Sequence, residues 1–216
     1  MGLLIYFLIS HMQFWAAAVI AYFCGCFNGA VIVSKYILRN DVRNHGSGNA
    51  GATNMARVFG MHAGLLTLAG DMLKAAAAML LGFWLLGDTG MALGGVACLL
   101  GHCFPALHGF KGGKGVSSGA MVALMIDWRV FLCVVGVFLA GAFLTKKVSF
   151  GSICGALAIF ISAAALGVST PRLILAAAGM LIVIARHRDN IVRLINGTEP
   201  DFKPAKRPGT KRKEEC

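Results

Sequence analysis

Three polar segments interrupt an otherwise apolar chain and carry most of the residue types that could do chemistry: GSGNAGATNMAR (46–57), GHCFPALHGFKGGKG (101–115) and RHRDNIVRLINGTEP (186–200). The first supplies the hydroxyls of Ser47 and Thr53, the amides of Asn49 and Asn54, and the guanidinium of Arg57. Hydroxyls and amides donate single hydrogen bonds to phosphate oxygens, and an arginine forks onto two of them. In the second, Gly112, Gly113 and Gly115 surround Lys114, and Lys111 precedes them. Glycines let successive backbone N–H groups turn inward on an anion. The run is not a Walker A loop, because His108 stands five positions before Gly113 and Gly115 follows Lys114 where Ser or Thr is required. ATP hydrolysis is therefore not expected.

The third segment clusters Arg186, His187, Arg188, Asn190 and Arg193 just beyond an apolar stretch. If it is helical, His187, Asn190 and Arg193 fall on neighbouring faces through i, i+3 spacing. Glu199, one of only nine acids, is expected to pair with a base and fix this segment structurally. The plainer alternatives are a flexible loop for the first segment, a basic turn for the second and an interfacial basic stretch for the third. Asp71 and Lys74, three residues apart, lie inside an apolar segment, where ionisable groups are costly and usually functional unless they satisfy each other. His102 is read as a buried, hydrogen-bonding histidine. Asp71, Lys74 and His102 are assigned structural roles.

These segments must be positioned by membrane helices. The chain of 216 residues is 57% hydrophobic and 13% charged, against about 25% charged in soluble domains, with mean hydropathy +0.74. Seven apolar segments can be drawn, at 13–38, 64–86, 92–107, 116–126, 130–145, 150–168 and 172–186. If each crosses the bilayer, seventeen of the twenty Lys and Arg lie on one face or its span ends, with only Arg129 and Arg172 opposite and Lys74 within a span. If 116–126 did not cross, Lys146, Lys147 and the basic tail would change sides, against the positive-inside rule. The expected fold is thus one all-α integral membrane domain (1–216) of seven transmembrane helices. Its N-terminus is periplasmic and its C-terminus cytoplasmic, and all three polar segments share the cytoplasmic face. The tail 200–216, rich in Pro, Lys and Arg, is expected to be disordered and able to touch anionic headgroups. A net charge of +11 would suggest nucleic acid in a soluble protein. Its placement in membrane loops, without interleaved aromatics, argues against that partner. The seven cysteines form no CxxC and predict neither a disulfide framework nor a metal site.

No HxxxxD, GxSxG or DxxDG pattern occurs. The three segments, in order and spacing, resemble the signature motifs of the bacterial membrane acyl-phosphate:glycerol-3-phosphate acyltransferases, the PlsY family. The resemblance covers roughly 15–200. It implies a seven-helix inner-membrane enzyme that makes 1-acyl-glycerol 3-phosphate, the first acylated intermediate of phospholipid synthesis. It also implies that Ser47 and Arg57 serve catalysis and phosphate binding, joined by Thr53, and that the glycines around Lys114 shape the glycerol 3-phosphate site. His187 and Asn190 become active-site groups. The family's Gly-Ser-apolar-Pro stretch in the first span reads Gly25, Cys26, Phe27, Asn28 here, which leaves that helix's bend open.

The expected reaction is attack of the 1-hydroxyl of glycerol 3-phosphate on the carbonyl of an acyl phosphate, with phosphate leaving. Both substrates are anions at the bilayer edge, so cations and neutral donors must hold them. No cofactor is expected, and the protein is expected to be monomeric. The proton acceptor is either His187 or a substrate phosphate oxygen, and no base partner for a nucleophilic Ser47 is evident. A small-anion or phosphate-ester transporter is the rival reading, with Asp71 and Lys74 as its only midspan polar groups.

Overall fold

The structure, a computed structural model, describes residues 2–205, with side chains from residue 11 onward. The described residues form only helices and connections. Helix α1 (Gly2–Cys26) breaks at Phe27, and the chain re-enters helix as α2 (Gly29–Val31), continuing as a π-turn over Ile32–Ile37. A short amphipathic α3 (Ala52–Phe59) follows. Helix α4 (Met61–Cys103) spans 43 residues but is two limbs, 61–85 and 88–103, joined at Leu86 (φ −141°, ψ 20°) and Gly87 (φ 58°, ψ −145°). The remaining helices are α5 (Val116–Ile126), α6 (Trp128–Thr145), α7 (Val148–Ala165), α8 (Thr170–Arg186) and α9 (Arg188–Ile195).

The two limbs of α4 fold back on each other. A methyl built on Gly82 would lie 2.1 Å from the Gly90 carbonyl oxygen, and one on Gly94 would lie 2.6 Å from that of Ala78. Only small residues permit such backbone approach, and membrane helices associate chiefly through it. The second limb is central, packed by α1, α5, α8 and the first limb, and Ala21, Met79, Met91, Leu99, Val122, Ile126 and Leu175 of this core are all buried. Helix α6 is outermost, with only Val130 and Gly141 buried. Its Phe143 and Leu144, like Trp84 and Leu73 of α4, stand exposed. Large apolar side chains displayed this widely suit hydrocarbon rather than water. Four stretches are long and apolar enough to cross a membrane, one being the Met61–His108 hairpin, and the bent pair α8–α9 makes a fifth. The protein is an all-helical, multi-pass membrane protein.

The break in α1 survives without proline: Asn28 caps α2, its Oδ1 accepting from the Val31 N–H at 3.1 Å. An asparagine side chain supplies the orphan donor's partner where proline would simply omit one. The tail is not wholly free either. Phe202 N–H donates to Lys146 O and Ala205 N–H to Ala56 O, so 200–205 runs between the α6–α7 connection and α3. Residues 206–216 lie outside the described residues.

Candidate functional site

The three polar segments meet at one end of the bundle. Arg186 Nε donates to the Gly113 carbonyl at 3.2 Å, and Lys114 Nζ donates to Asn190 Oδ1. A methyl on Gly113 would lie 2.8 Å from the Ala50 carbonyl and 2.1 Å from His102 Nε2, and one on Gly112 would lie 2.1 Å from the His102 carbonyl. These two glycines are therefore required by close packing against His102, in addition to any ligand they hold. Gly115 takes a left-handed conformation (φ 82°) and starts α5.

In the first segment, Asn54 differs from its expected role as a phosphate ligand. It is 1% exposed, and its Nδ2 donates to the carbonyls of Val42 (3.2 Å), His45 (3.0 Å) and Asn49 (3.0 Å). Its Oδ1 accepts the Ser47 N–H at 3.0 Å. With donor and acceptor both used, Asn54 staples the loop. Ser47 is exposed at the loop tip, while Asn49 and Thr53 are half-buried beside the start of α3.

The third segment is helical beyond a bend of 59° between α8 and α9. Asn190 is the centre of a chain of bonds: Oδ1 accepts from Lys114, and Nδ2 donates to Glu199 Oε1 at 2.6 Å. Glu199 Oε1 also accepts from Ser149 Oγ (2.6 Å), and Oε2 pairs with Arg193 Nε (2.7 Å). These three donors hold the Glu199 carboxyl below its ordinary range despite burial. Ser149 was not anticipated, and nothing in its sequence context, at the start of an apolar helix, marks it. His187 is 2% exposed, with Nδ1 2.7 Å from the Val183 carbonyl. A carbonyl can only accept, so Nδ1 carries the proton and Nε2 keeps its lone pair. Burial pushes the imidazole pKa down to about 4, so the ring is neutral.

Arg57, Lys111, Lys114 and Arg186 have no acidic partner within 4.0 Å among the described residues, whereas Arg43, Lys147, Arg172 and Arg193 are ion-paired. Arg186 instead stacks 5.0 Å over the Phe104 ring. Burial, with Arg193 and Arg186 nearby, pulls the Lys114 pKa down to about 8 even though Glu199 opposes it. The end of the bundle thus holds more positive than negative charge, and an anion would relieve the imbalance. Against the inner side of loop 111–115, at His102, the expected structural trio comes together: Lys74 Nζ lies 2.8 Å from Asp71 Oδ1 and 2.9 Å from His102 Nδ1. No cluster of three or more His, Cys, Asp or Glu suited to a metal occurs among the described residues.

Fold and site together define a multi-pass membrane protein with a glycine-lined, cation-rich polar end. The chain matches the glycerol-3-phosphate acyltransferase family over residues 15–197. It is 40% identical over 182 residues to the glycerol-3-phosphate acyltransferase of Thermoanaerobacter pseudethanolicus, covering 84% of this chain and 92% of that one. It is also 40% identical over 185 residues to that of Bacillus subtilis, covering 86% and 95%. Two crystal structures of PlsY (YgiH), an integral membrane glycerol 3-phosphate acyltransferase, share the fold. The glycerol 3-phosphate form has a TM-score of 0.83 at 32% identity, covering 88% of this chain and 96% of that one. The lysophosphatidic acid form has a TM-score of 0.79 at 34% identity, covering 88% and 95%. The chain belongs to the glycerol-3-phosphate acyltransferase family.

Proposed function

We propose that the protein acylates glycerol 3-phosphate at its 1-hydroxyl from an acyl phosphate donor, in the first acylation of phospholipid synthesis. The observation that carries this is the gathering of three cations without acidic partners among the described residues, Lys111, Lys114 and Arg186, on the glycine-lined loop 111–115. The glycerol 3-phosphate and lysophosphatidic acid forms of the related structures support the acceptor and the product. Loop 111–115, with Lys114 oriented by Asn190, takes the acceptor phosphate. Arg57, Ser47 and Thr53 take the donor's phosphate, with Lys111 at the exposed rim.

The hydroxyl oxygen bonds to the acyl carbonyl carbon, the carbon–oxygen bond to phosphate breaks, and inorganic phosphate leaves with the electron pair. Phosphate is a good leaving group, so two jobs dominate: placing two anions together and offsetting their repulsion. His187 Nε2, on a neutral ring whose Nδ1 is bound to Val183, accepts the hydroxyl's hydrogen bond. Its depressed basicity makes the departing phosphate the better final proton acceptor.

In this reading seven segments cross the bilayer: α1, the two limbs of α4, α5, α6, α7 and α8. The odd count, with basic residues gathered at the site's end, supports a periplasmic N-terminus and a cytoplasmic active site in a bacterial inner membrane. The chain acts as one domain and as a monomer. Purified protein in detergent, given a long-chain acyl phosphate and glycerol 3-phosphate, should release inorganic phosphate only when both are present. Release from acyl phosphate alone, or none at all, would overturn the reading.

A further inference from the structure

Asp71 and Lys74 are buried among the packed helices, and neither touches the cations of the proposed site. Lys74 Nζ donates to the carbonyls of Gly25 (3.1 Å) and Phe27 (2.9 Å), besides contacting Asp71 Oδ1 and His102 Nδ1. Asp71 Oδ1 in turn accepts the Gly29 N–H at 3.3 Å. The pair therefore straddles the break in α1. Its cation sits on carbonyls that the interrupted helix leaves unpaired, and its carboxylate sits on the first amide of the turn that follows. Between them, Asn28 Nδ2 holds the Ala50 carbonyl of the first polar segment at 3.1 Å. On the other side, the His102 carbonyl accepts the Gly113 N–H at 3.1 Å, and its ring leaves no room for a side chain at Gly113.

Packing alone does not account for this arrangement. Asp71 is 0% exposed and its Oδ2 has no hydrogen-bond partner. A buried ion pair with an unsatisfied oxygen is a poor source of stability, and apolar residues of similar volume often do as well or better. What the pair does achieve is a shared reference point: the loop at Ala50 and the loop at Gly113 are both registered against one ammonium group.

We propose that Lys74, with Asp71 and His102, is a positioning residue for the acceptor-phosphate loop, setting the spacing between the two anion-binding segments. This rests on the acyl-transfer reading above. The loss of Lys74 should tilt His102, let Gly112 and Gly113 shift, and weaken glycerol 3-phosphate while sparing the donor.

The test uses the full-length protein in detergent. Glycerol 3-phosphate affinity is measured directly by calorimetry, and kinetics with both substrates and thermal unfolding are followed alongside. Lys74→Met is expected to raise the Kd and KM for glycerol 3-phosphate about tenfold, with the KM for acyl phosphate within about twofold of wild type. Lys74→Met leaves Asp71 unpaired and so lowers Tm. The charge-neutral Asp71→Asn/Lys74→Met double variant should recover Tm but not acceptor affinity. Gly113→Ala, which displaces the ring from the loop side, should show the same selective loss. Wild-type acceptor affinity in the double variant would overturn the proposal, as would equal weakening of both substrates. If wild type binds glycerol 3-phosphate but does not turn over, the acyl-transfer reading fails and the binding comparison still tests Lys74.

Discussion

Lys114 and Asn190, 76 residues apart, are joined by a hydrogen bond from ammonium to amide oxygen, and the same amide's nitrogen reaches Glu199. An amide is suited to this place because it offers an acceptor to one neighbour and donors to the other. The lysine is thereby aimed by a neutral group, so its positive charge stays available to a ligand.

The depressed Lys114 pKa gives a pH dependence with a definite sign. Free enzyme carries the charged lysine below about pH 8 and loses it above. The kcat/KM for glycerol 3-phosphate should therefore fall as pH rises through about 8. Bound phosphate favours the ammonium, so the corresponding break in kcat should lie at higher pH. Folding depresses this pKa, so the folded protein binds fewer protons than the unfolded chain between about 8 and the ordinary lysine value, and stability rises across that window. Lys114→Met should thus keep or raise Tm at pH 7 while reducing kcat/KM about 100-fold or more, from the loss of a buried charge-assisted contact. A fall in Tm with near-normal kinetics would contradict this.

Asn190 and Glu199 allow an exchange test. Asn190→Asp places a carboxylate against Glu199 Oε1, where the native amide donates at 2.6 Å. Repulsion should lower Tm and turnover together. Adding Glu199→Gln restores one donor between the two positions and returns the net charge to its original value. The double variant should recover more Tm than either single change implies, a coupling of about 1 kcal/mol or more in a double-mutant cycle. Additive losses would show that the bond does not couple them.

Asn54→Ala separates loop architecture from ligand contact. The substitution leaves three backbone carbonyls and the Ser47 N–H without their partner, and unsatisfied buried groups cost about 1–3 kcal/mol each. Thermal stability should drop by several degrees, and added glycerol 3-phosphate should still raise Tm. A normal Tm with lost ligand response would reinstate Asn54 as a ligand.

Much of this was legible in sequence. Apolar runs placed the later segments to within about four residues, whereas the first, expected at 13–38, starts at Gly2 and breaks at Phe27. Glycine density together with Lys and Arg flagged the loops, because few other functions need that mixture. What stayed hidden depended on which atoms meet. Asn54 and Asn49 look alike in a list of amides, yet Asn54 faces four backbone groups and is consumed by them. Ser149 reads as one more small residue of a membrane helix, and only the return of Glu199 gives it a partner. Gly112 and Gly113 suggested an anion cradle, but their tightest constraint is His102.

His187 distinguishes a base from an orienting acceptor. Its ring is neutral down to about pH 4, and Nδ1 is committed to Val183. A general base normally contributes about 10²–10⁴-fold. If the departing phosphate takes the proton, His187→Gln, which keeps an acceptor, should lose less than about 100-fold, and His187→Ala should lose more than His187→Gln. Equal, complete losses in both would identify the imidazole as the base.

Asn28, like Cys26, departs from the Gly-Ser-apolar-Pro pattern, and it permits a decisive substitution. Its backbone φ of −86° lies near proline's range, and its N–H makes no hydrogen bond among those of the described residues. Asn28→Pro should therefore preserve the break in α1 and the Lys74 contacts to Gly25 and Phe27. It removes the side-chain bond to the Ala50 carbonyl and the cap on Val31, a loss of about 1 kcal/mol for the cap. Asn28→Leu loses the same two bonds and supplies neither a cap nor a fixed φ, so the chain has no local reason to break where Lys74 expects carbonyls. Tm should fall in the order wild type, Asn28→Pro, Asn28→Leu, with glycerol 3-phosphate affinity following the same order. If leucine is tolerated as well as proline, the ion pair beneath, and not residue 28, is what sets the bend.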